Sequence, residues 1–125
     1  MPELDVTDLD VSLQFWCELL GFNVAYSRPA ARFAYLQREN IQIMLCQING
    51  EWVTGQLEAP FGRGINFQMT VADIDHVVAT LEKHAWPLFR PAQEKTYKVG
   101  GRLSMSREFL VQDPDGYLIR FAQNC

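Results

Sequence analysis

An α+β fold built from two βαβββ modules is predicted by three features of the chain. The apolar spacing switches repeatedly between strand period and helix period along 125 residues. The segment Val6-Thr7-Asp8-Leu9-Asp10 returns 65 residues later as Val71-Ala72-Asp73-Ile74-Asp75, the same strand-to-helix junction. Near the end, Asp113-Pro114-Asp115-Gly116 is a strong turn signal between two strand-like runs. Two copies of one supersecondary unit make an α+β repeat; a solenoid would need several.

In chain order, Pro2–Val6 alternates and reads as a strand. Leu9, Leu13, Trp16 and Leu20 then fall on one helical stripe, with Asp8 as N-cap and Gly21 as C-terminal stop. Strands are expected over Phe22–Ser27, Arg32–Gln37 and Ile41–Gln47, the last two joined by a polar turn at Arg38–Asn40. Gly50, Gly55, Pro60 and Gly62 mark a loop between the halves. The module boundaries are therefore 1–48, a link at 49–63, and 64–125. In the second half Ile65–Val71 alternates between Ile65, Phe67, Met69, Val71 and the polar Asn66, Gln68, Thr70. Asp73 caps a helix with the stripe Ile74, Val77, Val78, Leu81. Trp86–Arg90, Arg107–Gln112 and Tyr117–Ala122 read as strands, with Pro91–Ser106 expected as an inserted mobile loop carrying Lys95, Lys98, Gly100 and Gly101.

Composition narrows the function classes. Apolar residues at 48% and charged residues at 21% describe a globular chain long enough to fold without staples. Three scattered cysteines (Cys17, Cys46, Cys125) with no CxxC argue against a disulfide framework and a cysteine-rich zinc site. The roles of Cys46 and Cys125 stay open. Fifteen acids against eleven bases give a net charge of −4, which speaks against nucleic acid as a partner. No apolar run approaches the ~20 residues of a membrane span, and the opening MPELDVTDLD has no secretory pattern, so the expected location is the cytoplasm.

Pro2-Glu3-Leu4, Val6, Asp8-Leu9, Ser12-Leu13, Phe15-Trp16 and Leu19-Leu20-Gly21-Phe22, in that order, resemble the opening of the vicinal-oxygen-chelate (glyoxalase and bleomycin-resistance) superfamily. The Asp113–Gly116 turn and the strand after it resemble its last hairpin. Leu36-Gln37-Arg38, Arg107-Glu108-Phe109 and Asp113–Gln123 are most similar to the bleomycin-resistance proteins. The resemblance implies paired βαβββ modules curling a mixed sheet around a cleft. It also implies homodimers that sequester a large cationic glycopeptide without altering it.

Metal-dependent members carry His or Glu on the first and last strands of each module. Carried across, those places fall at Met1, at Asn66, on Ile41–Cys46 (which has neither residue type), and at Arg120. An arginine is a permanent cation and repels a metal, so no metal and no cofactor are expected. His76 and His84 lie eight residues apart on the second helix, two turns distant and too far for one ion without a third contributor. No GxSxG or HExxH motif is present, and nucleophilic or zincin chemistry has no foothold.

Binding is what remains. By the resemblance, Asn66 and Gln68 line the cleft, and Tyr26, Phe33 and Tyr35 flank its entrance, with aromatic faces suited to flat or cationic groups. Arg107 is expected to orient polar groups. Arg120 needs a partner if it points inward, and Glu108 is the candidate. Trp52 in the link could act as a lid or pack at a subunit contact. Met105 and Ser106 stand where the resistance proteins often have Trp-Gly, and no acidic cluster is evident in the cleft. The expectation is a cytoplasmic, metal-free, non-enzymatic homodimer holding a bulky, partly aromatic small molecule, most like a bleomycin-type antibiotic. The alternatives are a metal-dependent superfamily lyase, dioxygenase or thiol transferase, and a binding module for a different compound.

Overall fold

Alternation and capping set the local structure of the computed structural model, which describes residues 1–124; Cys125 lies outside the described residues. The strands are β1 (Glu3–Val6), β2 (Asn23–Arg28), β3 (Phe33–Arg38) and β4 (Ile41–Gln47), then β5 (Asn66–Thr70), β6 (Arg90–Val99), β7 (Arg102–Gln112) and β8 (Leu118–Asn124). Helix α1 covers Leu9–Leu13 and runs on as a π-helical stretch over Gln14–Leu19, while α2 covers Ile74–Lys83. Asp8 and Asp73 cap the two helices alike: each Oδ1 accepts from the backbone N–H groups two and three residues on. The strand-to-helix repeat in the sequence is thus one capping device used twice.

Each module makes a four-stranded mixed sheet, ordered β1-β4-β3-β2 in the first and β5-β8-β7-β6 in the second. The first and last strands of each module pair in parallel, and the remaining pairs are antiparallel. Leu4 and Val6, Ala34 and Leu36, Ile43 and Leu45 turn one way from the first sheet. Met69, Phe109, Val111, Ile119 and Phe121 do so from the second, and all of these share one core with both helices. The π-helical turn, closed by Leu20 N–H donating to Phe15 O at 3.1 Å, lets Phe15, Trp16 and Leu19 all face that core. Phe15 then meets Trp86 of the second module with ring centroids 4.6 Å apart.

Two sequence expectations are corrected. Pro91–Ser106 is not an inserted loop: it is most of a β6–β7 hairpin, paired from Arg90↔Leu110 to Val99↔Arg102. Its turn is Gly100-Gly101, both at positive φ (56° and 82°), the backbone a two-residue hairpin turn demands. Trp86–Arg90 is not a strand either, since β6 begins only at Arg90. Pro87 has no N–H to give a ladder, and Trp86 spends its indole N–H on Gln112 O at 2.9 Å. No helix among the described residues is long and apolar enough to cross a membrane.

Candidate functional site

Strand alternation gives each sheet a second face, turned away from the shared core. On the first sheet this face carries Phe33 and Tyr35 from β3, Tyr26 from β2, and Met44 and Cys46 from β4, which lie opposite Glu3 and Asp5 of β1. Tyr26 and Tyr35 stack, with centroids 5.0 Å apart and planes inclined at 20°. Phe33 stands 6.1 Å from Tyr26. The Arg28 guanidinium lies 5.4 Å from the centre of the Phe33 ring and 5.9 Å from that of Tyr26, so the surface already accepts a cation over its rings. Tyr26 is exposed, Tyr35 half-buried and Phe33 nearly buried.

This face is acidic, which the sequence reading missed. The Cys46 thiol is held above its usual range first by burial and then by the negative charges of Glu3, Asp5 and Glu51. Glu3 and Asp5 arrive through the parallel β1–β4 register. Glu51 arrives because its N–H binds Asn49 Oδ1 at 2.9 Å, while the Asn49 amide contacts Cys46 Sγ. The available signal was the alternation in β1: Leu4 and Val6 face the core, so Glu3 and Asp5 cannot.

The second sheet's outer face is polar. Asn66, Gln68 and Thr70 are exposed on β5, as their alternation predicts. Arg120 on β8 donates to Gln68 and sits 3.9 Å (Nε) from Glu108 Oε1 on β7, the anticipated pairing. Glu108 is 3% exposed and also accepts from the Tyr97 hydroxyl at 2.8 Å. That bond is the first reason the phenol is held above its usual range. Tyr97 went unrecognised because it lay in the stretch read as a loop. Ser106, beside Glu108 on this face, is buried, and its Oγ has no hydrogen-bond partner among the described residues.

A cleft of about 870 Å³ opens where the two modules meet. Its walls are the chain start at Met1 and Pro2, the β3–β4 turn at Glu39 and Asn40, and β5 with Asn66 and Gln68. Glu39 fastens one wall by accepting from Ala72 N–H at 3.1 Å. Of the predicted binding residues, Asn66 and Gln68 line this cleft and Arg120 adjoins it through Gln68. Tyr26, Phe33 and Tyr35 group together on the first sheet instead. Trp52 is 66% exposed in the link. Met105 is exposed on β7, and Arg107 on the same strand reaches Asp75 of α2 at 2.7 Å. Both alternate with Ser106 and Glu108, so they belong to the helix side of the sheet.

The residues at the places where the family's enzymes hold a divalent ion do not fit one. Among the described residues no three His, Cys, Asp or Glu side chains converge to hold a metal. At one of those places the Arg120 guanidinium sets a fixed positive charge between Gln68 and Glu108. What the faces offer is stacking area, a carboxylate group and a charge-compensated polar patch.

Comparison with known proteins agrees with this architecture. Over residues 3–121 the chain matches the family model described as the Glyoxalase/Bleomycin resistance protein/Dioxygenase superfamily. A superfamily member from Vibrio splendidus 12B01 is 35% identical, with 98% of this chain and 95% of that one covered, at a TM-score of 0.46. TioX from Micromonospora sp. ML1 is similar in fold at 22% identity, covering 100% of this chain and 98% of that one, with a TM-score of 0.76. A protein of unknown function from Agrobacterium tumefaciens str. C58 is 20% identical over 99% of this chain and 91% of that one, with a TM-score of 0.72. No curated protein matches the chain. The chain belongs to the glyoxalase/bleomycin resistance protein/dioxygenase superfamily.

Proposed function

We propose that this protein is a metal-free homodimeric binder, acting in the cytoplasm, that sequesters a bulky, partly aromatic small molecule of the bleomycin glycopeptide type without transforming it. One observation carries the reading: exposed Tyr26 stacked on half-buried Tyr35, with the Arg28 guanidinium over the Tyr26 and Phe33 rings. Such a surface suits a ligand that is itself flat and cationic, which would take the place of Arg28. Glu3, Asp5 and Glu51 add the negative field the sequence reading lacked. Gln68, Arg120 and Glu108 offer donors and acceptors whose charges already cancel, fit for amide or hydroxyl groups. Sequestration then depends on affinity alone, each 1.4 kcal/mol changing the binding constant about tenfold.

Titration with bleomycin, read by quenching of tryptophan emission, tests the function. Trp52 is the reporting indole, because Trp16 is buried and Trp86 half-buried. Saturable quenching at micromolar drug supports the proposal, and a flat response discards the antibiotic. Elemental analysis of the purified protein tests the rival enzyme reading: a stoichiometric divalent ion together with turnover would replace binding by catalysis.

A further inference from the structure

We propose that the cleft between the modules is a saccharide site, holding an uncharged, multiply hydroxylated ring among carboxamide side chains. This rests on the sequestration reading above and deepens it: the cleft takes the sugar of a glycosylated guest, and the tyrosine face takes its flat, cationic part. Six carboxamides line the cleft of about 870 Å³: Asn40 and Gln42 on one wall, Asn66 and Gln68 on β5, and Gln123 and Asn124 at the end of β8. The chain has 14 Asn and Gln in 125 residues, so an even spread would put about two among the 15 lining residues. Charge is nearly absent. Among the described lining residues Glu39 alone has a charged side chain, and it is paired with Arg38 and accepts from Ala72 N–H. A cleft with no charge to offer favours a neutral guest, because an unpaired ion would be costly to desolvate there.

The hydrogen-bond inventory gives the class of guest. A carboxamide offers an acceptor oxygen and two donor hydrogens, and a hydroxyl offers one donor and two lone pairs, so neighbouring hydroxyls pair with carboxamides in both directions. Gln68 Oε1 accepts from Arg120, which leaves its NH2 group as the donor. Gln123 Oε1 accepts from Ile74 N–H at 2.9 Å and ties that wall to α2. Asn40, Gln42, Asn66 and Asn124 are exposed, and their side chains are committed to no partner among the described residues. These groups stand on three separate elements around the cleft, which suits a ring bearing hydroxyls along its whole rim. A flat base would present its polar atoms in one plane and would want aromatic faces. Phe67 is the one aromatic side chain among the described lining residues, and it is half-buried against Tyr117. The cleft thus lacks the stacking platform that the first sheet has. Its volume also lies within the range of small-molecule sites.

Removing the sugar from the guest tests this. In calorimetric titration the natural protein should hold bleomycin at least about tenfold more tightly than bleomycin stripped of its sugar, the worth of a few neutral hydrogen bonds. Asn66→Ala/Asn124→Ala on one side and Asn40→Ala/Gln42→Ala on the other should each bring the two affinities to within about threefold of one another. All four positions are exposed, and unchanged circular dichroism and melting would show that the variants fold. Mannose alone, followed by saturation-transfer NMR, tests whether a free sugar uses the same residues. Equal affinity for bleomycin and its aglycone in the natural protein would overturn the saccharide site and leave the sequestration reading standing. A preference for bleomycin that survives in both variants would put the sugar elsewhere and overturn the site too. Binding of neither compound, with mannose received by the natural protein and lost in the variants, would discard the antibiotic and keep the site for a free saccharide. Binding of none of the three would remove both. Capture of N-acetyl-glycylglycine amide, an uncharged peptide, at these residues in place of mannose would overturn the class of guest.

Discussion

The indole N–H of Trp16 donates to the Asp113 carboxylate at 3.3 Å, joining the first module's helix to the hairpin turn that ends the second. Asp113 Oδ1 meanwhile accepts from Asp115 N–H and Tyr117 N–H. Burial outweighs these bonds and raises the carboxyl from its ordinary 3.8 to about 6. The folded protein thus holds this proton more tightly than the unfolded chain. Its stabilising contribution is complete below about pH 4 and is lost as pH rises through 6. Two pKa units correspond to roughly 3 kcal/mol. Asp113→Asn should flatten that loss between pH 4.5 and 7.5 in urea denaturation. It should also cost about 1 kcal/mol at the acid end, because its amide N–H group faces the Trp16 donor.

Gly116 completes the same turn at φ 95°, and a Cβ there would lie 2.5 Å from Pro60 Cβ and 2.6 Å from Pro60 Cα. The link between the modules therefore rests directly on the last hairpin. Gly116→Ala combines left-handed strain with a backbone clash and should destabilise by about 2–4 kcal/mol. Gly55→Ala has open space and should change little. Thermal melting of the two variants side by side checks this.

The Arg120–Glu108 pair predicts an asymmetry. Glu108 is almost fully buried, and removing its cation by Arg120→Leu leaves a carboxylate held only by the Tyr97 hydroxyl. That change should cost about 2–4 kcal/mol in a denaturant titration. Adding Glu108→Gln should recover at least half of the loss, because the uncompensated charge is then gone. If the double variant is as unstable as the single, the pair contributes by packing and not by charge compensation.

Much of the architecture was legible because it rests on local rules. Asp8 and Asp73 announce both helices, and the alternation of Asn66, Gln68 and Thr70 with Phe67, Met69 and Val71 places the right residues outward. The β6–β7 hairpin was misread because Lys95, Lys98 and the Gly100-Gly101 pair look like loop composition. Glycines at positive φ are also what a tight hairpin needs, so the same dipeptide serves both readings. The acidic group was not legible: Glu3 is far from Cys46 in the chain and comes near it only through the parallel β1–β4 pairing, while the turn at Asn49 brings Glu51. The π-helical turn likewise has no local signature, and Phe15 and Leu19 lie off the regular helical stripe until it widens.

The stacked tyrosines carry the most direct test of binding by ring contact. Tyr26 and Tyr35 sit outside the shared core, on a face whose removal leaves Ala34 and Leu36 buried as before. Tyr26→Leu or Tyr35→Leu should therefore shift the melting temperature only slightly. Each ring lost should weaken capture of a bleomycin-type ligand by about two- to twelvefold, the range that one stacking contact of about 0.5–1.5 kcal/mol supplies. The double variant should lose less than the product of the two, since each ring orients the other and the second removal acts on a platform already broken. Phe33 differs, being nearly buried under Arg28, so Phe33→Leu should lower stability as well as affinity. Calorimetric titration paired with melting separates these outcomes. Equal affinity in Tyr26→Leu, Tyr35→Leu and the natural protein would mean that the ligand rests on the polar sheet around Gln68 and Arg120 instead.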